Sequence, residues 1–124
     1  MGSYRDLRIY QIAYELAIRV HRASLKLPQF ELYEQGSQIR RSSKRIKDTI
    51  VEGFGRRRYK LEYIKYLIYA QASCDETISH SETIMELYPE FEEFEELNSE
   101  YISLGKQINS YIQFVEENWN DNKK

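Results

Sequence analysis

The sequence predicts an all-α fold, an antiparallel four-helix bundle of up-down-up-down topology. Three observations lead there. Four runs of the chain carry apolar residues at helical spacing. Pro28 and Pro89 fall between runs, and the residue before a proline is disfavoured in helix. Five Gly and two Pro in 124 residues leave little material for the hairpin turns of a β-rich protein. Short connections make consecutive helices antiparallel neighbours. A chain of this length is expected to form one domain over residues 1–124 and to bury a core without metal or disulfide staples.

The first helix is placed at residues 4–27. Ile9, Ile12, Leu16, Val20, Ala23 and Leu27 form a near-heptad seam that Ala13 and Ala17 widen. The second is placed at residues 33–52, on Ile39, Ser43, Ile46 and Ile50, which fall at i, i+4, i+7 and i+11. Gly53-Phe54-Gly55 reads as its stop, because a glycine just past a helix readily takes the left-handed conformation that caps the last carbonyls. The third is placed at residues 58–87, with Tyr63, Leu67, Ala70, Cys74, Thr77, Ser81 and Ile84 on one side and Ile64 and Ile68 off that seam as a second contact surface. The fourth is placed at residues 91–118. Glutamates crowd its start, where the helix dipole favours anions. Phe94, Leu97, Tyr101, Leu104, Ile108, Tyr111 and Val115 step regularly along it, and Trp119 continues the pattern.

Charge is distributed unevenly. Residues 1–60 hold 14 Lys+Arg against 6 Asp+Glu, and residues 61–124 hold 4 against 14. The formal net charge of −2 therefore conceals a basic half and an acidic half. The basic centre is residues 38–58, where Arg40, Arg41, Lys44, Arg45, Lys47, Arg56, Arg57 and Arg58 face only Asp48 and Glu52. On a helix whose isoleucines turn inward, these side chains would cover most of the remaining circumference with cations.

Other classes find less support. No run of about 18 apolar residues is present, so no membrane span and no membrane partner are expected. The N-terminal segment lacks the apolar core of a secretory signal, and the lone Cys74 can make no internal disulfide. A cytoplasmic location is the expectation. His21 and His80 lie on different helices, and neither has the glutamate three residues earlier that a di-iron bundle uses. Cys74 lies on an apolar seam and reads as a small buried hydrophobe. The cluster of glutamates at residues 90–96 lacks the glycine-bearing loop of a calcium site. The expectation is a protein without catalytic residues, cofactor or metal.

Several of these residues resemble a known family, the small bacterial four-helix-bundle proteins encoded in intervening sequences of 23S ribosomal RNA genes. The accessory variability protein of diversity-generating retroelements is a more distant likeness. Gln38-Ile39-Arg40-Arg41, Ile46, Ile50 and Glu52-Gly53-Phe54-Gly55-Arg56 carry the match. Tyr4-Arg5-Asp6-Leu7, Glu15-Leu16-Ala17, Pro28, Glu31, Tyr33, Ala70, Ser73 and Glu76 add to it. The chain departs from the family at Lys44, Arg45 and Lys47, where small or uncharged residues are usual, and at Glu34-Gln35, where a Gly-Leu pair is common. The resemblance implies a homo-oligomeric ring, a pentamer, with a basic surface and no catalysis. By the distant likeness, nucleic acid and a reverse transcriptase are possible partners.

The functional expectation is nucleic-acid binding, RNA ahead of DNA, through the eight cations of residues 40–58. Lysine and arginine neutralise phosphates and release counterions without reading sequence. The competing reading is a basic face that docks an acidic protein, or one that pairs with the glutamates of its own fold. Arg40 and Arg41 in particular could make structural ion pairs with Glu52, Glu76 or Glu82. Tyr59, Tyr63, Tyr66 and Tyr69 beside the arginines could stack bases, but core packing is the better reading of Tyr63 and Tyr66.

Overall fold

The computed structural model describes residues 2–120. Helix α1 spans Arg8–Ser24, α2 Gln35–Gly55, α3 Lys60–Leu87 and α4 Glu93–Asn118. Two 3₁₀ turns, Tyr4–Asp6 and Gln29–Tyr33, precede α1 and α2. Each helix packs on its neighbour in sequence, and α1 closes the bundle against α4. Side-chain contacts give the directions. Arg40 meets Ser24 and Lys44 meets His21. Thr77 meets Ser42, and Gly53 lies against Tyr66. Tyr63 meets Tyr111, and Asn98 meets Ser81. In every pair a residue in the later half of one helix meets a residue in the earlier half of its neighbour, so the bundle is antiparallel.

The predicted seams are the buried ones. Ile39, Ser43, Ile46 and Ile50 are fully buried, and so are Leu67, Ala70, Cys74, Leu97, Leu104 and Ile108. Small polar residues sit in the same core. The hydroxyls of Thr77 and Ser42 lie 2.8 Å apart, Asn98 donates to Ser81 at 2.6 Å, and the Cys74 thiol donates to the Tyr101 carbonyl at 3.3 Å. Burial pushes the Cys74 thiol up to about 12. Short side chains with their hydroxyls satisfied bring helices close while leaving no unpaired polar atom.

Two buried polar atoms among the described residues lack a hydrogen bond, Nε2 of His80 and, within the core, the Tyr101 hydroxyl. A buried polar group without a partner carries its desolvation penalty uncompensated. Tyr101→Phe is therefore expected to leave stability unchanged or to raise it by up to about 1 kcal/mol. A urea melt checks this, and a loss above about 1 kcal/mol would show that the hydroxyl has a partner.

Helix boundaries differ from the sequence reading at six of the eight ends. The first helix begins at Arg8 and not at Tyr4. Ser3 and Asp6 form a capping box around the 3₁₀ turn, and Leu7 follows in extended conformation. It ends at Ser24, and the chain then turns through Leu25–Leu27 before Pro28. The second helix does not stop at Gly53. It runs through Gly55, and no glycine among the described residues has positive φ. Gly53 is needed for close approach instead: a Cβ there would lie 2.8 Å from the Tyr66 Cβ. The last three helices start two residues later than predicted, at Gln35, Lys60 and Glu93. Residues 121–124, read from the sequence as part of a fraying tail, lie outside the described residues.

Candidate nucleic-acid interface

The basic stretch divides into side chains committed to the fold and side chains left in solvent. Arg40 belongs to the first group. Its guanidinium donates to the Ser24 hydroxyl at 3.0 Å and to the Leu32 carbonyl at 2.7 Å. It thereby ties the end of α1 and the turn after Pro28 to α2. The turn itself is anchored by Glu31, whose buried carboxylate accepts from the Gln35 backbone N–H at 2.9 Å and from the Tyr88 hydroxyl at 2.7 Å. That hydrogen bond to a carboxylate, followed by burial, pushes the Tyr88 hydroxyl up to about 12. Arg40 therefore makes none of the ion pairs expected of it; its acceptors are neutral oxygens.

Arg56 and Arg57 are also engaged. Arg56 lies 3.4 Å from Glu62 and 3.9 Å from Glu52, with its guanidinium 4.8 Å from the centre of the Tyr66 ring. Arg57 donates to the Phe54 carbonyl at 2.8 Å and covers the Phe54 ring at 3.9 Å. Its own carbonyl accepts from the Trp119 indole at 2.9 Å. Lys47 is 2.8 Å from Asp48. Of the eight cations, Arg56 alone is paired with a carboxylate of another helix among the described residues.

Among the described residues, the remaining four make no direct carboxylate contact. Arg41 and Arg45 are exposed, with no hydrogen-bond or ion-pair partner among the described residues. They share a shallow cleft between α2 and α3 with Asp48, Glu52 and Glu76. Arg58 is exposed, 5.8 Å from the Tyr59 ring centre. Lys44 points toward α1, where its nitrogen lies 3.0 Å from Nδ1 of His21. Residues 35–47 contain five cations and no carboxylate, so the field along the first half of α2 is strongly positive.

Helix α1 extends this surface. Arg19 is held by Glu96 at 2.9 Å and Glu100 at 2.6 Å, and Lys26 lies 3.5 Å from Glu93. Arg22, between them in sequence, is exposed and unpaired among the described residues. Sequence reasoning missed His21 because only the pairing of α1 with α2 brings it beside Lys44. The tyrosines divide as expected in part. Tyr63 is buried, and Tyr66 is partly buried beneath Arg56, whereas Tyr59 and Tyr69 are 43% and 40% exposed. Tyr66 and Tyr69 meet edge to face at 5.4 Å.

Among the described residues no helix is long and apolar enough to cross a membrane. No curated protein and no solved structure matches the chain. A family model does match, that of the 23S rRNA-intervening sequence protein, over residues 5–110. The matched span takes in α1, α2, α3 and most of α4, including every basic residue of the candidate surface. The chain therefore belongs to the 23S rRNA-intervening sequence protein family.

Proposed function

We propose that this chain is a non-enzymatic, homo-oligomeric protein that binds nucleic acid, RNA ahead of DNA, through the outer surface of α2 and the corner that follows it. One observation carries the reading: Arg41, Arg45 and Arg58 are exposed with no partner among the described residues, so they remain available to phosphates. Lys44 and Lys47 flank them, while Arg40, Arg56 and Arg57 shape the surface from within the fold. Family membership is consistent with RNA as the polyanion. Self-association is supported by Leu61 and Ile68 on the outer side of α3, which are 75% and 48% exposed, whereas Ile64 is partly buried against the core. Copies in a ring would repeat the basic surface and add avidity.

The double variant Arg41→Glu/Arg45→Glu tests the reading. Neither side chain holds the fold together, so helicity and oligomer mass by light scattering should match the parent. Binding to single-stranded RNA should weaken at least about tenfold, and the slope of log K against log salt should fall by about 1.4 per subunit for two lost phosphate contacts. Unchanged affinity and slope would remove the assignment. Displacement of a bound polyacidic protein without any RNA retention would favour the scaffold reading in its place.

A further inference from the structure

The His21 ring and the Lys44 ammonium touch across the groove between α1 and α2, with Nδ1 and Nζ 3.0 Å apart. An ammonium offers only donors, so Nδ1 must accept and the ring is neutral, with its proton on Nε2. Two groups that can both be cationic are thus in contact without a carboxylate between them. The charged groups acting on the ring are Lys44 and Arg40 from α2 and Arg22 from α1 itself, all positive. Helix α4 also packs on α1, but its glutamates Glu96 and Glu100 are held by Arg19. Burial, then these three cations, keeps the imidazole below its ordinary value.

We propose that His21 and Lys44, in the positive field of Arg22 and Arg40, form a recognition site for a backbone phosphate, one that takes up a proton on the imidazole when the phosphate arrives and so binds more tightly as pH falls. The inference rests on the nucleic-acid reading above and adds α1 residues to its surface. A phosphate oxygen supplies the negative charge the cluster lacks. Lys44 can then donate to phosphate, and Nδ1 changes from acceptor to donor by taking one proton from solvent. The repulsion that opposes protonation in the free protein is offset by the bound anion. Without ligand the sign is opposite. A histidine held neutral in the fold binds fewer protons than in the unfolded chain, so stability is lost as pH falls through the ordinary histidine range near about 6.5.

The test uses the whole chain, a single-stranded RNA oligonucleotide and, separately, inorganic tripolyphosphate. RNA affinity is measured at constant ionic strength from about pH 7.5 to about pH 5.5, a window that spans the ordinary histidine value of about 6.5. One proton taken up per site permits at most about tenfold tightening per pH unit. The parent should tighten about tenfold over the window, and His21→Gln should lose most of that slope. The midpoint of the His21 ring, followed by NMR, should rise when tripolyphosphate is added. RNA binding with equal slopes in both proteins and an unmoved midpoint would overturn the site while leaving the function standing. A raised midpoint with no RNA retained would support the anion site and remove the nucleic-acid reading. An unmoved midpoint with no RNA retained would remove both.

Discussion

Tyr63→Ala is expected to cost about 3–5 kcal/mol of folding stability, the range for deleting a large aromatic from a packed core. The ring is fully buried. It is the centre of an aromatic group at one end of the bundle, with Phe54 at 6.3 Å, Tyr111 at 6.0 Å and Trp119 at 5.2 Å between ring centres. Edge-to-face geometry adds to the area buried by each ring. The same end holds the corner between α2 and α3, since Arg57 covers Phe54 and receives the Trp119 indole on its carbonyl. Removing the ring should loosen three helices together. A conservative comparison isolates the hydroxyl: Tyr63→Phe gives up only the 2.8 Å contact with the Tyr111 hydroxyl and should cost about 1 kcal/mol. Denaturant melts of both variants check the ordering. A loss below about 1.5 kcal/mol for the alanine would mean that the aromatic end is not closed as described.

Arg40→Met should destabilise by about 2–3 kcal/mol while disturbing RNA binding less than the Arg41/Arg45 reversal does. The guanidinium is the donor for the Leu32 carbonyl and the Ser24 hydroxyl, and methionine supplies none. Hydrogen bonds to charged groups lie at the upper end of the usual range, and the abandoned acceptors keep their desolvation cost. Gly36 makes this arrangement possible. A Cβ there would meet the Glu31 carbonyl oxygen and would lie 3.0 Å from Nη1 of Arg40. The glycine thus leaves the turn and the guanidinium room to share one space. Lysine would not restore the site fully, because a single ammonium lacks the planar fork that reaches both acceptors. Stability by chemical denaturation and RNA affinity of the folded variant, measured side by side, separate the roles. A large affinity loss with stability intact would return Arg40 to the binding surface.

The core was legible from spacing. Ile39, Ser43, Ile46 and Ile50, the α3 seam from Tyr63 to Ile84, and the α4 seam from Phe94 to Val115 follow from a rotation of about 100° per residue, a property local to each helix. Tyr111, counted on the α4 seam, is only partly buried, and Ile112 beside it is buried. The Gly53-Phe54-Gly55 stop was misread because a glycine required for close approach looks the same in sequence as one required for a left-handed cap. Only the presence of Tyr63 and Tyr66 against that face of α2 distinguishes them. Burial of Glu31 was equally hidden. Its carboxylate accepts from the Gln35 N–H, four residues on past the 3₁₀ turn, and from Tyr88, which is distant in sequence.

By itself, then, the sequence determined the bundle, its seams and the location of its positive charge, because amphipathic periodicity and charge count are properties of consecutive residues. The tertiary structure decided which cations are spent on the fold and which face solvent. Arg40 and Arg41 are neighbours on one helix, yet one is held by Leu32 and Ser24 and the other is unpartnered among the described residues. That difference arises from the stagger of α1 against α2 and from carbonyls presented by a non-helical turn. Neither is encoded in the period of a single helix.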